Sequence, residues 1–358
     1  MVFMAAAATV AATDFSELEA ALDSRWGAGE PGGAVVIARG DSVIYERYSG
    51  VADLATNEEI SPATRFNIAS VSKQFTVMAL LQQARLYRGG LPLLDMPMDT
   101  FVTYAQPWWH DITPAMLASH TSGLDDQRSG SHEWKINATD DDAVAYFEHL
   151  EAPAHGPGEY YDYLNPSFVL LARVVEQLSG RGFTEYVAEN LFAPAGMTDT
   201  YYFDRDASSE SQAHAYIPSA DGSWQQYDFG EETFFATRPD GGIYSTARDM
   251  LRWLDALRDG RVLPASWVAL SRQPRVSVSA SPYCSYQRRP DTWYALGQFV
   301  EHPAGKPLKV FHTGDNGGFQ AYVAVYPDTD TRIVVLENRN DRSRSQLVDL
   351  IDKTLGYR

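Results

Sequence analysis

The 358-residue sequence predicts an α+β protein: one antiparallel sheet made from both ends of the chain, flanked by N- and C-terminal helices, with a mostly helical lobe inserted between them. Three observations carry this. Runs rich in β-branched and aromatic residues fall at 34–48 and again at 293–336, broken by turns rich in Gly and Asp. The stretch between them reads mainly at helical spacing. No repeat period, low-complexity linker or charge block divides the chain into independent modules.

Taken in order, Phe15, Leu18, Leu22 and Trp26 recur at helical spacing and predict an opening helix over 14–26. Strands at 34–39 and 42–48 flank Gly40-Asp41, a short turn of the kind that joins antiparallel strands. Helices follow at about 71–86, 141–150, 166–179, 184–191 and 247–258. The third has the clearest start and stop, with Asn165 as N-cap, Pro166 as first helical residue and Gly180 after the end. Strands are expected at 293–300, 308–313, 319–326 and 332–336, separated by Asp315-Asn316-Gly317-Gly318 and Pro327-Asp328-Thr329-Asp330. A helix over 345–355 closes the chain, with Leu347, Leu350, Ile351 and Leu355 on one face. The chain thus divides into residues 1–12 and a single domain, 13–358. Its sheet lobe spans about 13–66 and 290–358, its helical lobe about 67–289.

Charge and composition narrow the function classes. There are 29 Lys and Arg against 47 Asp and Glu, a net charge of −18 that repels phosphate backbones and anionic headgroups and argues against nucleic-acid partners. Apolar residues make up 44%, enough for a packed core. Cys284 stands alone, which excludes an intrachain disulfide and a thiolate zinc cluster. The eight histidines show no His-Glu-x-x-His spacing, so no metal or other cofactor is expected. No apolar run reaches the ~18–20 residues of a membrane span. Residues 1–12 are apolar and Ala-rich with no preceding Lys or Arg. They fit either a signal remnant, which would place the protein in the periplasm or outside the cell, or an N-terminal extension.

The chemistry concentrates in three places. Ser70-Val71-Ser72-Lys73 puts a hydroxyl at a helix start and an amine one turn later on the same face. There the serine meets backbone N–H groups that can hold an oxyanion, and the lysine can take its proton. Alone, the pair reads more readily as a helix cap and a solvated surface lysine. Tyr163-Leu164-Asn165 lies in the loop before the 166–179 helix, where a phenol can point into a cleft. His312-Thr313-Gly314 ends a strand, and a glycine there lets a substrate backbone approach the strand edge.

In this order the three motifs resemble the serine β-lactamase and penicillin-binding-protein superfamily, in the branch of class C β-lactamases, DD-carboxypeptidases, D-aminopeptidases and esterases. Segments 66–70, 117–124, 191–197 and 241–249 are similar to that branch as well. The resemblance implies a β-lactamase/transpeptidase-like fold and a serine hydrolase acting on a small molecule or short peptide. It implies Ser70 as acylated nucleophile, Lys73 and Tyr163 as acid and base, and Asn165, His312, Thr313 and Gly314 as substrate-binding residues. The oxyanion would lie between the backbone N–H groups of Ser70 and Asp315.

Where the family often has a small or hydroxylated residue, this chain has Asp315, whose carboxylate is expected to oppose an anionic substrate. His312 replaces the lysine of the β-lactamases proper and is expected to offer at most a titrating charge. Leu164 is expected to point away from the reaction. Tyr160, Tyr161, Trp108 and Trp109 could recognise an acyl group, although lobe packing is the plainer reading, and Arg288 and Arg289 could clamp a carboxylate. The expected activity is cleavage of a D-amino-acid peptide or carboxylic ester. The alternatives are a β-lactamase, an acyltransferase, or a non-catalytic binding protein on the same fold.

Overall fold

A computed structural model describes residues 13–87, 90–102, 106–125, 139–204, 211–228, 238–282, 291–341 and 343–357. Residues 1–12, Cys284, Arg288 and Arg289 lie outside the described residues. Eight strands make one antiparallel sheet: β1 (Gly33–Arg39), β2 (Ser42–Ser49), β3 (Val276–Ser277), β4 (Thr292–Tyr294), β5 (Phe299–Glu301), β6 (Lys309–Asn316), β7 (Phe319–Tyr326) and β8 (Thr331–Glu337). They lie in the order β3-β4-β5-β6-β7-β8-β1-β2, so the first two strands of the chain complete a sheet otherwise built from its last third.

Burial on both faces explains the composition of the central strands. Ala34, Val36, Ala321, Val323, Val334 and Leu336 face the inserted lobe. Val35, Ile37, Tyr322, Ala324, Ile333 and Val335 face the terminal helices α1 (Ser16–Arg25) and α8 (Arg344–Thr354), which contribute Leu18, Leu22, Leu347 and Ile351. Polar ties fix these helices to the sheet: Arg25 Nε pairs with Glu337 Oε1 at 2.6 Å, and Lys309 Nζ with Asp352 Oδ2 at 2.9 Å.

The lobe is carried by α2 (Lys73–Leu86), α3 (Pro114–Ala118), α4 (Asp140–His149), α5 (Ser167–Ser179), α6 (Ala247–Arg258) and α7 (Ala265–Ser271). Threonines cap three of them: Thr113 caps α3 through the Met116 N–H, Thr139 and Asp142 form a capping box on α4, and Thr246 caps α6 through the Asp249 N–H.

Three elements differ from expectation. The single strand expected at 293–300 is a hairpin, β4 and β5, reversing through Gly297 at φ +67°. Asp315 and Asn316 extend β6 instead of starting the turn, which is left to Gly317-Gly318. Residues 184–191 form a short helix, Phe183–Val187, followed by a π turn, Ala188–Phe192.

Candidate active site

Ser70 stands on a strained turn. Phe66 and Asn67 pair with Ser245 and Tyr244, and the chain then enters a 3-10 turn, Ala69–Ser72, before α2 begins. Ala69 adopts φ +47°, which costs a residue with a Cβ about 1–3 kcal/mol. Two bonds hold it there: Ala69 N donates to Asn67 Oδ1 at 2.8 Å, and Ile68 N donates to Ile243 O at 3.0 Å. Ser70 is therefore in the turn leading into the helix, not at the head of the α-helix itself. α2 is buried nearly all round, through Phe75, Val77, Met78, Leu80 and Leu81, so its first turn has a fixed position.

Lys73, on that first turn, is completely buried. Its Nζ donates to Ser70 Oγ at 3.0 Å, Asn165 Oδ1 at 2.7 Å and the Asp240 carbonyl at 3.0 Å. The last two partners can only accept. The Ser70 contact alone can reverse, with the hydroxyl donating to a neutral amine, so the proton can pass between them without either side chain moving. Asn165 is thus not the N-cap expected of it. α5 starts at Ser167, with Pro166 already helical at φ −61° and no side-chain cap, and the Asn165 amide is turned to the lysine. The Tyr163 ring centre lies 5.0 Å from Lys73 Nζ. Leu164 is buried in the core, pointing away from the site as expected.

A chain of hydrogen bonds runs beneath Tyr163. The Leu164 N–H donates to His120 Nδ1 at 3.0 Å, so the proton of this histidine resides on Nε2, 3.2 Å from Tyr294 Oη. At the other end the Thr313 carbonyl can only accept, so His312 carries its proton on Nδ1, 2.6 Å away. The Tyr294 hydroxyl then donates to His312 Nε2 at 2.9 Å. Every proton has one place, and both rings are neutral. Burial, with the Lys73 charge adding to it, pushes His312 down to about 3 and His120 well below its ordinary value. His312 is therefore not the titrating cation expected at the strand edge: its ring is buried and both nitrogens are engaged.

The sign of the stability linkage follows. The unfolded histidines bind protons near pH 6.5, where the folded ones do not. The contribution of His312 is full above about pH 6.5 and is lost as pH falls from there toward 3, and that of His120 is lost in the same direction. Each contributes a slope of up to about 1.4 kcal/mol per pH unit within that window. Chemical denaturation between pH 7 and 4.5 should show stability falling with acidity, and more shallowly in His312→Asn.

The faces of β6 correct two further expectations. Gly314 is cross-strand partner to Ala321, which faces the lobe, so a side chain at 314 would point at the Ser70 turn. A Cβ there would overlap the Ile68 carbonyl oxygen and stand 3.1 Å from Ala69 Cβ. The glycine is required by the Ser70 turn itself. Thr313 and Asp315 point to the opposite face, where they line a cavity of about 380 Å³. The Asp315 carboxylate is held there by a two-pronged contact from Arg344, Nη1 to Oδ1 and Nη2 to Oδ2, both 2.9 Å, and by Gln320 Nε2 at 3.0 Å. It is a neutralised pair, not a bare negative charge in the cleft. Of the aromatics, Trp109 and Tyr161 are buried, Trp108 stacks on Trp109, and Tyr160 is exposed.

His120, Tyr294, Asp240 and Arg344 were not identified from sequence. Segment 117–124 signals His120 only by its likeness to the family, and its φ of +58° has no local sequence cue. Asp240 acts through its carbonyl, which any residue has. Its carboxylate is buried with no hydrogen-bond partner among the described residues. Among the described residues no three His, Cys, Asp or Glu side chains are grouped to hold a metal ion, and no helix is long and apolar enough to cross a membrane.

The chain is similar to known proteins. The chain is 29% identical over 252 residues to a D-aminopeptidase of Brucella anthropi, covering 64% of this chain and 43% of that protein. It therefore spans less than half the length of the D-aminopeptidases it matches. It is 25% identical over 331 residues to a penicillin-binding protein of Bacillus subtilis, covering 86% of this chain and 68% of that one. Among solved structures, a penicillin-binding protein from Bacillus halodurans superposes with TM-score 0.77 at 25% identity, over 94% of this chain and 99% of that one. The octameric penicillin-binding protein homologue from Pyrococcus abyssi, at 23% identity and TM-score 0.80 over 96% and 78%, shares the fold. Residues 18–355, nearly the whole chain, match the family model described as Beta-lactamase, and the chain belongs to that family.

Proposed function

We propose that this protein is a serine hydrolase that cleaves a small ester or amide, of the D-amino-acid peptide or carboxylic ester class, through an acyl-enzyme on Ser70. The observation that carries this reading is the buried Lys73 amine, 3.0 Å from Ser70 Oγ and anchored by two obligate acceptors. Ser70 gives its proton to Lys73 as Oγ attacks the carbonyl carbon. The oxyanion forms at the backbone N–H groups of Ser70 and Asp315. As the carbonyl–leaving-group bond breaks, the proton passes to the departing amine or alcohol through Lys73 and Tyr163. Water then repeats the sequence, giving its proton to the same pair while Ser70 Oγ leaves and is reprotonated.

Substrate class follows from charge at the strand edge. His312 is neutral and Arg344 is paired with Asp315, so among the described residues the strand edge offers no uncompensated cation to the carboxylate of a β-lactam. Non-catalytic binding is disfavoured because such a protein has no use for a buried lysine aimed at a serine.

Turnover of p-nitrophenyl butyrate and of D-alanine p-nitroanilide should exceed that of a chromogenic cephalosporin; the reverse order would assign a β-lactamase. Asp315→Asn tests the charge argument. It releases Arg344, and acylation by benzylpenicillin should rise roughly tenfold while butyrate ester hydrolysis changes little. An unchanged penicillin rate would mean that Arg344 does not face the substrate.

A further inference from the structure

A second and larger cavity, about 740 Å³, lies against the lobe face of the sheet near Leu308 and Val325, at the opposite end of β6 from Gly314 and the Ser70 turn. Its lining is mainly apolar: Leu254 and Leu257 from α6, Val268 from α7, Val300 and Val325 from the sheet, and Trp293 at the rim, 41% exposed. A space of this size falls within the range of small-molecule sites.

The charged groups in the lining are unevenly matched. Arg332 pairs with Asp255 at 2.7 Å and also with Asp330, and Arg258 reaches Asp330 at 3.5 Å and Asp259 at 2.7 Å. Arg272, at the end of α7, has none of this. Its Nε is buried without a hydrogen-bond partner, and no carboxylate among the described residues pairs with its guanidinium; Asp291, the other acid in the lining, makes no ion pair with it. Burial alone pushes its guanidinium down to about 10. A partly buried guanidinium with no carboxylate beside it leaves donors that water or a ligand must meet.

We propose that this cavity is a second binding site, for an amphiphilic carboxylate whose apolar body lies among Leu254, Val268, Val300 and Val325 and whose head takes the Arg272 guanidinium. The planar fork of donors matches a carboxylate in two-pronged geometry. A single negative charge fits better than a phosphate, because Asp291 and Asp330 in the same lining oppose a second one. The site does not depend on the chemistry at Ser70.

The test is calorimetric titration of the full chain with decanoate, with decanol and decyltrimethylammonium as uncharged and cationic controls. Decanoate should bind saturably and more tightly than either control. Arg272→Gln should weaken decanoate about tenfold or more, the loss of one charge-assisted contact, and leave decanol unchanged. Ala269→Phe, a change on the exposed side of α7 that fills the cavity, should weaken both decanoate and decanol. Equal decanoate affinity in wild type and Arg272→Gln, decanoate binding untouched by Ala269→Phe, or no saturable binding to wild type would each overturn the proposal. Binding in the Ser70 cleft instead would show as the first of these.

Discussion

Lys73→Met should lower the rate of the proposed Ser70 acylation on the order of 10³–10⁴-fold while the protein remains folded. Methionine nearly matches the lysine stem in volume and fills the same slot at the head of α2, so packing around Phe75 and Phe168 survives. What is lost is the amine that can take the Ser70 proton at 3.0 Å. Two acceptors, Asn165 Oδ1 and the Asp240 carbonyl, lose their donor, at about 1–3 kcal/mol each if left dry. Removing a buried polar amine offsets part of that. Single-turnover kinetics with p-nitrophenyl butyrate, alongside a thermal melt, separates the two effects. A rate within tenfold of wild type would remove Lys73 from the mechanism.

Gly314→Ala has nearly as large an effect by a different route. The added methyl overlaps the Ile68 carbonyl oxygen, which belongs to the backbone of the nucleophile turn and is itself fixed by the Ile68–Ile243 bond. Neither side can yield through a side-chain rotation. β6 must move away from Ala69 and Ser70 by a few tenths of an ångström or more, carrying the Asp315 N–H with it. Overpacking of this kind costs about 1–3 kcal/mol of stability. Misplacing an oxyanion donor costs on the order of 10²–10³ in turnover. The expected signature is a kcat loss with little change in KM. A variant with wild-type kcat would show that the oxyanion site does not depend on how closely β6 meets the turn.

The fold was legible because its signals are local and repeated. The runs of Val, Ile, Ala and Tyr in β1, β7 and β8, the Gly40 turn and the helix stop at Gly180 each act within a few residues. The hairpin at Gly297 was missed because Trp293 to Val300 keeps strand-like composition through the reversal. In the site, residue identity was legible and orientation was not. Ser70, Lys73 and Asn165 converge, but that Asn165 serves the lysine and leaves the helix uncapped depends on α2 and α5 packing together, which no spacing encodes. Likewise Asp315 was read as a charge in the cleft because its partner, Arg344, comes from a helix 29 residues further along the chain. The proton order through His120, Tyr294 and His312 joins three distant segments, and only the assembled fold brings them within reach.

The central claim is that Ser70 is acylated. Intact-mass measurement after treatment with a fluorophosphonate should show one adduct, mapping to Ser70, that is absent in a folded Ser70→Ala variant and strongly slowed in Lys73→Met. No adduct, or one that persists in Ser70→Ala, would contradict the account.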